Sequence, residues 1–337
     1  VGVFGLGISV IAGSILSSIN FNQPPLASLK GQIEARQEKA EKAESSNSAN
    51  TMATKTTPLV AGQKITPLET KLQKLIAKNP KIEPGLFFID LDNDDYVNLK
   101  GDVVFSAAST IKIPILVAFF QDVDAGKIRL DEKLTITKEV IGSGAGELQY
   151  QKVGTQITAL ETAYKMIVIS DNTATNMLIQ KLGGKAVINQ RMRQWGLSNT
   201  VINNPLPDLE GTNTTSPKDL ANILAMVNQG QLISLKSRDR MLGIMQETKT
   251  RTLLPQGLEK DAIISHKTGD IGTVLGDAGI IDMPNGKRYI GAILAKRPFN
   301  DPAARTLIQD ISKTVYQHLK WSVTPEKPAQ KTAEVMD

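Results

Sequence analysis

The stretch "TIKIPILVAFFQDVDAG", residues 110–126, constrains the fold more than any other part of the chain. From Ile111 to Phe120 every residue except Lys112 is apolar. A helix that is apolar all round has no face to give to water, so other elements must enclose it on every side. Pro114 fits its first turn and Gly126 closes it. The chain must therefore build layers around this helix, and Lys112 lies inside it. Ser109 stands three residues earlier, at the helix start.

The patterns on either side supply the layers. Before it, "LETKLQKLIAKN" has helical apolar spacing, and "GLFFIDL" and "YVNL" read as strands around the turn residues "DNDD". After it, "TALETAYKMIVI", "TATNMLIQKLGG" and "AVINQRMRQWG" read as helices. "SPKDLANILAMVNQG" is another, capped by Ser216 with Pro217 at the first position, and "SLKSRDRMLGIMQET" follows. "DAIISHKTGD", "TVLGDAGIIDM" and "RYIGAILAK" read as three strands, the last two joined by the turn "PNGK". "DPAARTLIQDISKTVYQHLKW" closes the domain as a helix. Strands, many helices, three strands and a helix make an α+β fold: an antiparallel sheet flanked by helices, plus an all-helical subdomain. Its expected bounds are residues 67–321.

The ends are different in kind. Residues 1–19 carry no charge, and at about 1.5 Å rise per residue they nearly match a bilayer core. They are expected to be a membrane anchor or signal segment. Residues 20–66 hold "LKGQIEARQEKAEKAE" and "SSNSANTMATKTTP", a polar tether expected to be partly disordered, as is the tail at 322–337. The net charge of +5 is spread along the chain, which argues against nucleic-acid binding.

With no cysteine and only His266 and His318, the chain lacks thiolate chemistry and has few imidazole bases. A nucleophilic Ser109 has another acceptor available. Ser109 and Lys112, at i and i+3, share one helix face. Lys112 lies among Ile111, Ile113 and Ile115, where desolvation lowers the proton affinity of an amine toward that of a useful base. The spacing alone is unspecific, since a capping serine and a surface lysine have the same pattern. Two further motifs weigh against that reading. "SDN", residues 170–172, lies between two helices: Ser170 offers a hydroxyl to relay a proton, and Asn172 an amide to orient a substrate. "KTG", residues 267–269, ends a strand: Lys267 offers a second cation, and Gly269 lets a substrate backbone lie against the strand edge.

In this order the three motifs resemble those of the class A serine β-lactamases, within the wider penicillin-binding serine-acyltransferase family. "MIVISDNTATNMLIQKLGG" and "GTNTTSPKDLA" also look like family segments, and the resemblance covers about residues 68–320. It implies the β-lactamase/transpeptidase-like fold. It makes Ser109 the acylated nucleophile, Lys112 a proton acceptor and Ser170 a relay. Asn172, Lys267, Thr268 and Gly269 would bind substrate, and the backbone N–H groups of Ser109 and Asp270 would form an oxyanion hole. No metal or cofactor is implied. His266 is expected to be a half-buried strand residue, and His318 a structural one.

Three departures from the family pattern stand out. The loop "NTVINNPLPDLEGTNTTSP" lacks the E-x-x-L-N that positions a glutamate for deacylation; Glu210 is its only glutamate and the candidate for a displaced base, with Asp208 a weaker one. The arginine often found on the strand after "KTG" is absent; Asp277 lies on that strand instead, and Arg251 is the candidate substitute. Asp270 follows Gly269, where a carboxylate would repel an anionic substrate. The resulting expectation is a tethered serine hydrolase on the periplasmic side of a bacterial inner membrane. It would open β-lactam rings through a Ser109 acyl-enzyme, with slow deacylation. A D-alanyl-D-alanine carboxypeptidase acting on peptidoglycan, and a non-catalytic module binding cell-wall peptides or β-lactams, remain the alternatives.

Overall fold

The computed structural model describes residues 62–322. The expected anchor at 1–19, nearly all of the tether and almost all of the tail lie outside the described residues. Among the described residues no helix is long and apolar enough to cross a membrane.

Helix α1 (Thr66–Ala77) leads into strands β1 (Glu83–Asp90) and β2 (Tyr96–Leu99). A two-residue strand β3 (Phe105–Ser106) and a 3-10 turn (Ala108–Ile111) precede α2 (Lys112–Asp124), the apolar helix. Then come β4 (Lys133–Thr135), β5 (Gln156–Thr158), α3 (Ala159–Val168), α4 (Asn172–Lys181) and α5 (Lys185–Gln194). Strand β6 (Thr214–Thr215) pairs with β3, and α6 (Pro217–Asn228) and α7 (Leu235–Gln246) complete the helical region. The chain ends in β7 (Ile263–Asp270), β8 (Val274–Asp282), β9 (Arg288–Lys296) and α8 (Ala303–Trp321).

The five long strands form one antiparallel sheet in the order β2-β1-β9-β8-β7. Both faces are covered, which is why β9 is buried from Tyr289 to Ala295 although its side chains alternate. Ile290, Ala292 and Leu294 join the core shared with the helical region, whereas Tyr289, Ile293 and Ala295 join the core beneath α1 and α8. Residues Ile113 to Phe120 of α2 are all fully buried, so the chain encloses this helix as its composition demands. Gly126, at φ +69°, ends the segment in a left-handed turn that glycine takes without strain.

Candidate active site

The 3-10 turn, the junction between α3 and α4, and the open edge of β7 meet at one place. Ser109 lies in the turn and Lys112 is the first residue of α2. Ala108 is held at φ +46° and Ser170 at φ +57°, a left-handed backbone that costs a non-glycine residue on the order of 1–3 kcal/mol. Two such positions flank or form one cluster, where the surrounding packing holds them.

The side chain of Lys112 is fully buried. Its Nζ lies 3.1 Å from Ser109 Oγ, 2.7 Å from Ser170 O, 3.0 Å from Ser170 Oγ and 2.9 Å from Asn172 Oδ1. These contacts serve both protonation states. A neutral amine has two N–H donors and one lone pair. The carbonyl of Ser170 and the amide oxygen of Asn172 accept the two donors, which leaves the lone pair for the proton of Ser109. An ammonium gains a third donor for one of the hydroxyls. Burial holds the proton affinity of Lys112 well below that of an ordinary lysine, and the nearby Lys267 charge lowers it further, against a smaller opposing effect of Asp171. Ser170 Oγ donates to Ser109 Oγ over 3.0 Å, so the two hydroxyls are in direct contact beside the amine.

Asp171 caps α4 by accepting from Ala174 N at 2.8 Å, and its other oxygen accepts from Glu147 N and Leu148 N. It thereby pins the glycine-rich loop 142–150 beside the site. Asn172 Nδ2 donates to Ser143 O of the same loop at 2.8 Å. The amide of Asn172 is thus fixed at both ends before any substrate arrives.

On the opposite wall, Gly269 of β7 packs against the 3-10 turn that carries Ser109. A Cβ there would lie 3.0 Å from both Ser109 N and the Cβ of Ala108, so glycine permits the approach. Lys267 is buried and donates to Thr268 O at 2.8 Å. Burial pulls its pKa down to about 8, and the carboxylate of Asp277 partly opposes the drop.

Three expectations are corrected. Asp277 does not sit where a substrate would meet it. It is fully buried in the layer beneath α8, where Oδ1 lies 2.9 Å from His266 Nδ1 and Oδ2 accepts from Leu254 N. His266 is therefore fully buried and paired, not half-buried. Asp270 is not a lone carboxylate either, because Arg297 bonds to it at 2.6 Å.

The structure does not bring Glu210 into contact with Ser109, Lys112 or Ser170. It is exposed on the loop, between Asp208 and the close contact of Gly211 with Ser106. Asp208 is buried but braces the loop itself, accepting from Thr212 Oγ1 and Asn213 N. The loop residue held against the site is Leu206: Asn176, one helical turn after Asn172, accepts from Leu206 N and donates to Leu206 O. A buried apolar side chain stands at that point of the loop. Arg251 is exposed, and its Nη1 reaches only Gln246 O at 3.4 Å. Sequence reasoning missed Asn176, Leu206 and Arg297. Only Asn176 had a visible signal, its i+4 spacing from Asn172.

Two half-buried serines on a fully buried lysine, beside the open edge of an antiparallel sheet, define an active-site-serine hydrolase. The model of the β-lactamase enzyme family matches residues 66–319, and the chain belongs to that family. It is 25% identical over 270 residues to the β-lactamase VEB-1 of Pseudomonas aeruginosa, which covers 74% of this chain and 90% of that protein. It is 29% identical over 250 residues to β-lactamase 3 of Bacillus cereus, covering 70% and 77% respectively. Among solved structures, PBP-A superposes with a TM-score of 0.76 at 55% identity, covering 77% of this chain and 98% of that one. A leucine-to-glutamate mutant of PBP-A, solved as an acyl-enzyme complex with penicillin G, matches at 54% identity. An ancestral class A β-lactamase matches at 27% identity with a TM-score of 0.70, covering 74% and 99%. The fold is that of the class A β-lactamases and their penicillin-binding relatives.

Proposed function

We propose that the protein is a serine hydrolase that opens β-lactam rings through a Ser109 acyl-enzyme and releases the product slowly. The observation that carries this reading is the Nζ of Lys112, desolvated and 3.1 Å from Ser109 Oγ. In the proposed sequence, neutral Lys112 takes the proton of Ser109 as Oγ bonds to the lactam carbonyl carbon. The carbonyl π electrons move to oxygen, held by the N–H groups of Ser109 and Asp270. When the tetrahedral intermediate collapses, the C–N bond breaks. Ser170 passes its proton to the leaving nitrogen and regains one from Lys112. Lys267 and Thr268 bind the carboxylate of the substrate, and Asn172 its side-chain amide.

Hydrolysis of the ester needs a base for water. Slow deacylation is supported by the loop, which clamps an apolar residue, Leu206, to Asn176 through its backbone and leaves Glu210 exposed. That a PBP-A mutant was captured with penicillin G attached supports acylation by β-lactams. The family resemblance supports action outside the cytoplasm, and the uncharged run 1–19 followed by the polar segment 20–66 supports an inner-membrane anchor and tether.

Intact-protein mass spectrometry after mixing with penicillin G, followed over time, tests the reading. The expected record is rapid gain of one penicilloyl mass on Ser109, followed by slow loss. Loss as fast as gain would mean efficient β-lactam turnover. Faster turnover of a D-alanyl-D-alanine peptide than of any β-lactam would favour the carboxypeptidase. Permanent retention of the adduct would make the protein a binder.

A further inference from the structure

The residue that follows Lys267, Thr268 and Gly269 is an acid, in a site that must accept an anion. Asp270 ends β7, and its side chain is 47% exposed. Its Oδ1 accepts from Gly272 N at 2.8 Å and from Arg297 Nη2 at 2.6 Å. No hydrogen bond to its Oδ2 is present among the described residues. Arg297, just past the end of β9, has a side chain only 3% exposed. Its Nε donates to Gly272 O at 2.8 Å, Nη1 to Asp301 O and Nη2 to Asn300 Oδ1, both at 3.4 Å. The guanidinium is thus locked against the β7–β8 turn, bonded to a half-exposed carboxylate on the residue next to Gly269.

Resting on the function proposed above, we propose that the Asp270–Arg297 pair is a specificity-determining element that sets how well the site accepts acyl donors carrying a carboxylate at the leaving-group end. As a pair the two groups add no net charge to the anion site. The cation alone would draw such donors in, and the carboxylate alone would repel them. Asp270 therefore holds back an attraction that Arg297 would otherwise exert. The pair lets the site take anionic donors through Lys267 and Thr268 without extra affinity from Arg297.

The charge effect separates from the chemistry by comparing penicillin G with its methyl ester, which lacks only the anionic charge. The developing oxyanion is common to both, so the acid-to-ester ratio of acylation rates isolates the carboxylate. A unit charge beside the site, in surroundings between protein surface and water, changes such a ratio about five- to tenfold. The experiment is the second-order rate of adduct formation on the full chain, counted by intact mass. Asp270→Asn is expected to raise the ratio about five- to tenfold, and Arg297→Gln to lower it by a similar factor. The double variant should return to within about twofold of wild type, and Arg297→Lys should stay near wild type. Asp270→Asn changes no volume and decides the matter alone if the arginine variants do not fold. A ratio within about twofold of wild type in Asp270→Asn, with the wild type labelled normally, overturns the pair's role and leaves the Ser109 reading standing. Failure of both compounds to label the wild type would overturn the Ser109 reading, and the pair's role with it.

Discussion

The two buried lysines make opposite demands on pH, and this gives a sharp test of the site. Acylation needs Lys112 neutral, so that its lone pair can take the proton of Ser109. It needs Lys267 charged, to hold the anionic end of the substrate. Burial and the charge of Lys267 both push the pKa of Lys112 well down, and Lys267 itself titrates at about 8. The acylation rate should therefore rise with pH as Lys112 deprotonates, level off below about 8, and fall above it. At pH 9, one unit beyond the pKa of Lys267, about one tenth of the molecules keep that charge, so acylation should be about tenfold slower than on the plateau. The assay is the initial rate of penicilloyl labelling from pH 6 to 9.5, counted as adduct mass so that alkaline hydrolysis of the free drug does not enter. Lys267→Arg keeps its charge throughout this range and should remove the basic limb. The larger guanidinium also strains a fully buried position, so its plateau should be lower. A rate that climbs steadily to pH 9.5 would refute the assignment, because it is the behaviour of an ordinary lysine base with no second titrating group. A basic limb that survives in Lys267→Arg would place the titration elsewhere.

Ser109→Ala should abolish penicilloyl labelling with an unchanged thermal midpoint, checked by mass and melting curve; labelling at the wild-type rate would move the nucleophile. Glu210→Gln should leave the lifetime of the adduct unchanged, since Glu210 is exposed and touches none of the three central residues; Leu206→Glu, which puts a carboxylate at the clamped loop position, should shorten it, as followed by decay of the adduct mass. Gly269→Val should slow acylation by at least tenfold, because even a Cβ there would meet Ser109 N at 3.0 Å. Stability should rise with pH between about 8 and 10, relative to Lys267→Met. The sign follows from proton counting: the folded pKa is depressed, so the unfolded chain holds more protons in that window and loses this advantage as pH rises. The rise should reach about 3 kcal/mol in urea unfolding.

The residues that carry the proposed chemistry were legible in the sequence because each is bound to a local pattern. Ser109 and Lys112 sit at helix spacing, and the apolar neighbours of Lys112 announce its burial. Asp171 is a capping residue, and Asn172 opens a helix whose pattern is plain. The sheet was legible too, since the strands of "DAIISHKTGD", "TVLGDAGIIDM" and "RYIGAILAK" are uninterrupted and their turns are short. What the tertiary structure decided concerns partners far apart in the chain. Asp277 stood on the strand where the family's arginine is missing, but strand register turns it to the layer beneath α8, where it meets His266. Asp270 looked repulsive, because nothing in the sequence around it mentions Arg297, 27 positions on. Glu210 looked like the first candidate to serve water, with Asp208 behind it, but Glu210 is exposed and Asp208 is spent on bracing the loop. Local patterns specify which face a side chain takes, because they follow from helix and strand periods. Charge pairing across a site depends on how separate elements pack, and no period in the sequence records it.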